Sequence, residues 1–164
     1  MQWATRYAYN GDMTNTQNIT EWRAEHQAKA DAKAERKAKA EAELAELTEL
    51  AQKVLQYEAT FTMVDKLQTP AQRRAHEPIG QSKRWHATCT IAGMTPSEFL
   101  TKFDLAEYMY EGFEQFGWFY TKKQALTRHA EDCTEEFVRI MSRLRWDQPA
   151  EFAEVVTALK DING

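Results

Sequence analysis

Between Ala24 and Ala42 the only apolar side chains are alanines, set among charged and polar residues. No core can be built from such a stretch, yet Ala, Lys, Glu and Arg are the strongest helix formers. Ala often alternates with a charged residue here, which imitates the period of a strand. Ala, Lys and Glu are depleted in strands, so the helix is the expected state. Asn18 and Thr20 are good residues to cap its start, with Glu21 in the first turn where the helix dipole favours an acid. Glu25 to Lys29 and Glu35 to Lys39 are spaced as supporting ion pairs one turn apart. Such a helix serves as a solvated arm, or packs its alanines closely against a partner.

After Glu43 large apolar residues begin. Leu47, Leu50, Val54, Tyr57, Phe61 and Val64 recur at spacings of three and four, the register of a heptad seam. This predicts one unbroken helix from Asn18 to about Leu67, roughly 75 Å long at about 1.5 Å per residue. The seam either packs on the chain's own domain or pairs two copies in a dimer.

The remainder reads as helical. Pro70 ends the long helix, and a connector over 69–94 carries turn signals at Glu77-Pro78 and Ile79-Gly80, with a short strand over Trp85–Ile91. Thr95-Pro96-Ser97-Glu98 is a complete helix start: a cap, a proline in the first turn and the acid of a capping box. Further helices are predicted over 105–116, over 122–145 with Leu126, Cys133, Phe137, Ile140, Met141 and Leu144 inward, and from Pro149 with Phe152, Val155, Val156, Leu159 and Ile162. The predicted fold class is all-α: a tail over 1–17, a long helix over 18–68, a basic connector over 69–94 and a small helical bundle over 95–164. In the tail, Trp3, Tyr7 and Tyr9 accompany the Asn10-Gly11-Asp12 turn signal.

Composition narrows the function. A formal net charge of −4 over 164 residues argues against a dedicated coat for nucleic acid, which works by neutralising phosphates. No apolar run is long enough to span a membrane. Met1-Gln2-Trp3-Ala4-Thr5-Arg6 lacks a basic region followed by an apolar stretch, so no secretory leader is expected. Two cysteines are too few for a disulfide scaffold, so a reducing cytoplasm is expected. Phosphate-binding loops, dinucleotide fingerprints and nucleophile elbows are all missing. The expectation is a protein with no enzymatic activity and no cofactor.

Four groups of residues carry potential chemistry. His86, Cys89, His129 and Cys133 contain the donor types of a tetrahedral zinc site. Their spacing lacks a C-x-x-C knuckle, and the expected reading is two buried thiols and two unrelated histidines, with no metal. Lys66, Arg73, Arg74, Lys83 and Arg84 face one acid, Glu77, across 66–86; with Trp85 beside them they form a candidate nucleic-acid contact. Lys122, Lys123, Arg128, Arg139, Arg143 and Arg145 offer a second basic face. Glu107, Glu111 and Glu114 form an acidic stripe on one helix face, suited to an ordinary solvent surface or to imitating a phosphate track. Of the run Trp118, Phe119 and Tyr120, one or two side chains must stay outside, and exposed Trp and Tyr are typical interface anchors.

The run Thr121-Lys122-Lys123-Gln124-Ala125-Leu126-Thr127-Arg128, then Asp132 and Glu136-Phe137-Val138-Arg139-Ile140-Met141, resembles the C-terminal part of Gam-type bacteriophage inhibitors of the RecBCD host nuclease. A long charged helix ahead of a short helical region is similar too. The resemblance implies a phage-encoded helical dimer that occupies the DNA site of a host enzyme. The leading expectation is therefore an interaction protein that inhibits a host nucleic-acid enzyme or defence complex, using Glu107, Glu111, Glu114, Trp118 and Tyr120. The alternatives are a nucleic-acid-binding module acting through the basic connector and a structural subunit of a virion or other assembly.

Overall fold

The computed structural model describes residues 13–108 and 117–163. Helix α1 spans Met13–Val54 and runs directly into strand β1, Leu55–Asp65. A short helix α2, Pro70–Arg74, interrupts the connection to strand β2, Gln81–Ile91. Helix α3, Pro96–Lys102, a 3-10 turn over Ala106–Tyr108, helix α4, Lys122–Asp147, and helix α5, Pro149–Asn163, follow.

The chain forms two units, Met1–Glu43 and Leu44–Gly164. Within the first, every side chain from 18 to 42 is exposed. Its support is local, as alanine-rich composition demands. Lys29 Nζ lies 2.6 Å from Glu25 Oε1, Gln27 donates to Asp31 at 2.8 Å, and the Trp22 and His26 rings stack at 3.9 Å.

The second unit holds the core. The last turns of α1 contribute Leu47, Leu50, Ala51 and Val54; α4 contributes Phe137, Ile140, Met141 and Leu144; α5 adds Phe152, Val155 and Leu159. The capping box at α3 is present as predicted. Glu98 N–H donates to Thr95 Oγ1 at 3.2 Å, and Thr95 N–H donates to Glu98 Oε2 at 2.8 Å. α4 and α5 also lie where the sequence places them. Ile162, expected inward, is exposed.

The all-α expectation is overturned. β1 and β2 form a two-stranded antiparallel sheet, pairing Leu55 with Ile91 through Asp65 with Gln81. The long helix ends at Val54, not near Leu67, and the heptad seam is divided. Leu47, Leu50 and Val54 sit on α1 and are buried in the chain's own core. Tyr57, Phe61 and Val64 belong to β1, so the six residues form no continuous coiled-coil stripe. The physical reason is a shared spacing: a separation of four keeps two residues on one face of a helix and also on one face of a strand. Leu55, Tyr57, Ala59, Phe61 and Met63 alternate strictly, and β2 answers with Trp85, Ala87, Cys89 and Ile91 on the matching face. The pairing partner decides between the two periods. The connector strand expected over Trp85–Ile91 is the inner half of this longer β2.

A two-residue turn closes the base of the hairpin onto α3. Ile91 and Met94 exchange backbone hydrogen bonds of 2.8 and 3.0 Å, and Ala92 and Gly93 both take positive φ, 48° and 79°. Glycine meets this requirement at no steric cost, whereas Ala92 sits in a region that L side chains seldom occupy.

Among the described residues, no helix is long and apolar enough to cross a membrane.

Candidate functional site

The hairpin has one continuous apolar face with two different fates. Near its base the cross-strand pairs Leu55–Ile91, Tyr57–Cys89 and Ala59–Ala87 lie against α4 and are buried or half-buried. Further along, Phe61–Trp85 and Met63–Lys83 continue the same face. Phe61 and Met63 are 53% and 51% exposed. The Phe61 and Trp85 rings meet at 5.3 Å, and Lys83 Nζ sits 3.8 Å from the Phe61 centroid and 4.7 Å from that of Trp85.

The opposite face of the same half is also aromatic and cationic. Residues 117–120 return alongside β2, where Trp85 and Phe119 exchange two backbone hydrogen bonds of 2.8 Å. That pairing brings Trp118 to His86, rings 5.2 Å apart, and Tyr120 beneath Arg84, whose Cζ lies 4.0 Å from the ring centroid. Trp118 and Tyr120 are 53% and 72% exposed. Gly117 makes the return feasible: a Cβ there would meet the Phe119 ring at 2.6 Å. Beside this segment, a cleft of about 790 Å³ is lined by Trp118, Tyr120, Lys123, Arg128, His129 and Asp132, among others.

The structure therefore joins two groups that the sequence kept apart. Lys83, Arg84 and Trp85 from the basic connector, and Trp118 and Tyr120 from the aromatic run, share the outer half of the hairpin. Arg73 and Arg74 belong to a separate element, α2, and are exposed. Glu107 lies on the 3-10 turn and accepts from the Gln148 side chain at 3.3 Å; Glu111 and Glu114 lie outside the described residues. The proposed second basic face is largely neutralised. Arg128, Arg139, Arg143 and Arg145 pair with Glu131 and Asp132, Glu136, Asp147 and Glu46 respectively. Phe61 and Met63 were missed as surface residues, and their period-two alternation is the signal that finds them.

Beneath the base of the hairpin lies a second group. Cys89 projects from β2 toward α4, where His129 and Cys133 stand one turn apart on the same helix face. All three are buried, with their donor atoms within 4.8 Å of one another. His129 Nε2 is 3.3 Å from Cys133 Sγ. The Cys89 thiol is pulled down to about 6, chiefly because the Cys133 thiol donates to its thiolate, with His129 helping against the cost of burial. Cys133 is pushed up by the same hydrogen bond and by burial. Tyr57 stands alongside, its ring edge-on to His129 at 6.3 Å and its hydroxyl 3.2 Å from Thr134 Oγ1. Burial raises its phenol above the ordinary value.

His86 is not part of this group. Successive strand residues point to opposite faces, so three residues before Cys89 it faces away, with Thr60 Oγ1 3.0 Å from its Nε2. The expectation of two buried thiols and two unrelated histidines therefore holds for His86 and is corrected for His129, which lies with Cys89 and Cys133.

No protein-family model, curated protein or solved structure matches the chain.

Proposed function

We propose that this chain is a non-enzymatic binding protein that takes single-stranded nucleic acid on the outer half of its hairpin. The observation that carries the reading is the seating of Lys83 and Arg84 on exposed aromatic rings, one on each face of the sheet. Single strands are gripped by ring faces that stack on bases and by cations that meet phosphates. Here Phe61, Trp85, Trp118 and Tyr120 supply the first and Lys83 and Arg84 the second. Arg73 and Arg74, on the connection between the strands, add charge to the same hairpin. Cys89 is buried and presents no exposed nucleophile to a large substrate, which favours binding over catalysis.

The test is fluorescence anisotropy of a labelled oligothymidylate, titrated with the protein at low and moderate salt. Binding that weakens steeply with salt and falls in the double variant Lys83→Ala, Arg84→Ala supports the reading. Absence of binding at low salt removes it.

A second reading rests on the exposure of Trp118 and Tyr120. In it the chain is a phage-encoded inhibitor in the host cytoplasm, similar in role to the Gam-type proteins, and binds a host protein complex as a dimer. It predicts a stoichiometric protein partner retained from nuclease-treated lysate and lost in Trp118→Ala.

A further inference from the structure

We propose that Cys89, His129 and Cys133 are the protein ligands of a zinc ion that ties β2 to α4. Three observations converge on a metal. The donor set is two sulfurs and an imidazole nitrogen, the combination that zinc prefers. Tetrahedral zinc, about 2.3 Å from sulfur and about 2.0 Å from nitrogen, holds its ligands roughly 3.5–3.8 Å apart. The observed donors lie within 4.8 Å of one another, one pair already at 3.3 Å, so no separation exceeds that of a bonded set by more than about 1 Å. The two supporting elements are also fixed independently. His129 and Cys133 are set by one helical turn, and Cys89 by its pairing with Tyr57 in the sheet.

The competing explanations use the cluster less fully. As mere core, it buries an imidazole whose Nε2 has only a weak thiol partner, and unsatisfied polar groups are costly in an apolar interior. A Cys89–Cys133 disulfide would employ two of the three groups and leave His129 Nε2 without its sulfur partner. Zinc employs all three. Each thiol gives up its proton to solvent on binding, so uptake is favoured as pH rises. Among the described residues no fourth Cys, His, Asp or Glu joins the cluster. The fourth position falls to solvent or a small donor, and His129 lines the 790 Å³ cleft from which either would come. This site is independent of the nucleic-acid reading: it anchors the base of the hairpin whose outer half carries the proposed contact.

The experiment uses the intact chain, purified with reductant and without chelator. Elemental analysis is expected to give about one zinc per chain. Exchange for cobalt(II) is expected to give thiolate-to-cobalt charge transfer in the near ultraviolet and the strong visible bands of a tetrahedral ion. Cys133→Ser should weaken the charge-transfer band, and His129→Gln should shift the visible bands while retaining it. The proposal is overturned if the reduced, folded protein carries no stoichiometric zinc and shows no thiolate–cobalt absorption. It is equally overturned if mass spectrometry finds Cys89 and Cys133 joined in a disulfide in protein prepared without oxidant. Because the cobalt spectrum is read on the unaltered protein, a variant that fails to fold does not decide the matter.

Discussion

The two halves of the hairpin are built from the same alternation and meet different ends. Leu55, Tyr57, Ala59, Phe61 and Met63 occupy one face of β1, and Ile91, Cys89, Ala87, Trp85 and Lys83 answer them across the sheet. At the base, α4 covers this face, and Ile91 is fully buried. Beyond Ala59 and Ala87 that cover ends, and Phe61 is half exposed. An aromatic side chain is therefore not committed to a core by its position in an apolar stripe. What lies opposite it decides. The outer half also recruits charge, with Lys83 on Phe61 and Trp85, and Arg84 on Tyr120. A cation over a ring face is held there by the ring quadrupole, and a base that stacks on that face takes the cation's place and frees it for phosphate.

The sharpest test of this comparison is stability. Ile91→Ala at the base is expected to cost about 2–5 kcal/mol, since it deletes fully buried methyl groups and leaves a cavity. Phe61→Ala in the outer half is expected to cost under about 1 kcal/mol, as for a surface position. Urea unfolding of both variants reads the difference, and comparable losses would end the distinction between the halves. Binding supplies the converse. Tyr120→Ala should leave unfolding nearly unchanged and weaken oligonucleotide binding by about 1–3 kcal/mol, the usual worth of a base–aromatic stack. A loss of stability with no loss of affinity would assign Tyr120 to packing instead.

The charges give a smaller, more specific effect. Removing Lys83 and Arg84 together should flatten the dependence of log affinity on log salt by about 1.4, if each meets one phosphate of a single strand. An unchanged slope would move the phosphate contacts elsewhere, with Arg73 and Arg74 the next pair to substitute.

The smallest expected effect lies off the hairpin and calibrates the others. The backbone and hydroxyl of Thr95 hold the Glu98 carboxyl below its ordinary value of 4.5. A lowered folded value means the carboxylate supports the helix at and above pH 4.5, and that support is lost as pH falls through the folded value. Glu98→Gln should remove this part of the acid dependence in a pH series of melting temperatures. A series identical to that of the unaltered protein would show that the capping box contributes nothing measurable.

Legibility in the sequence followed the range of the forces involved. The capping box at Thr95 and Glu98 and the last helix entered at Pro149 were readable because caps and prolines act within one turn. The helix from Lys122 was readable because its apolar residues recur at helical spacing. So was the alanine-rich stretch, whose helix rests on propensity and side-chain pairs four residues apart. The division of the seam was not. Tyr57 and Phe61 stand four apart, which satisfies a helix and a strand equally, and the choice rests on a second strand some thirty residues away. His129 fared likewise. From the sequence, both histidines were expected to be unrelated to the buried thiols. That holds for His86, turned to the opposite face of β2, and fails for His129, which packing brings to Cys89 and Cys133.

By itself, the sequence determined where α3, α4 and α5 begin, which stretch has no core to offer, that cations outnumber acids between Lys66 and His86, and that aromatics crowd together between Phe113 and Tyr120. It placed the start of α1 at Asn18 or Thr20 rather than Met13 and signalled no helix at Pro70. Only the tertiary structure decided that Val54 ends a helix, that Lys83 and Arg84 meet Phe61 and Tyr120, and that Cys89 finds His129 and Cys133. The physical reason is that capping and propensity are settled among neighbours in the chain. Strand pairing, burial and the assembly of a donor set depend on residues brought together by a core that no local window contains.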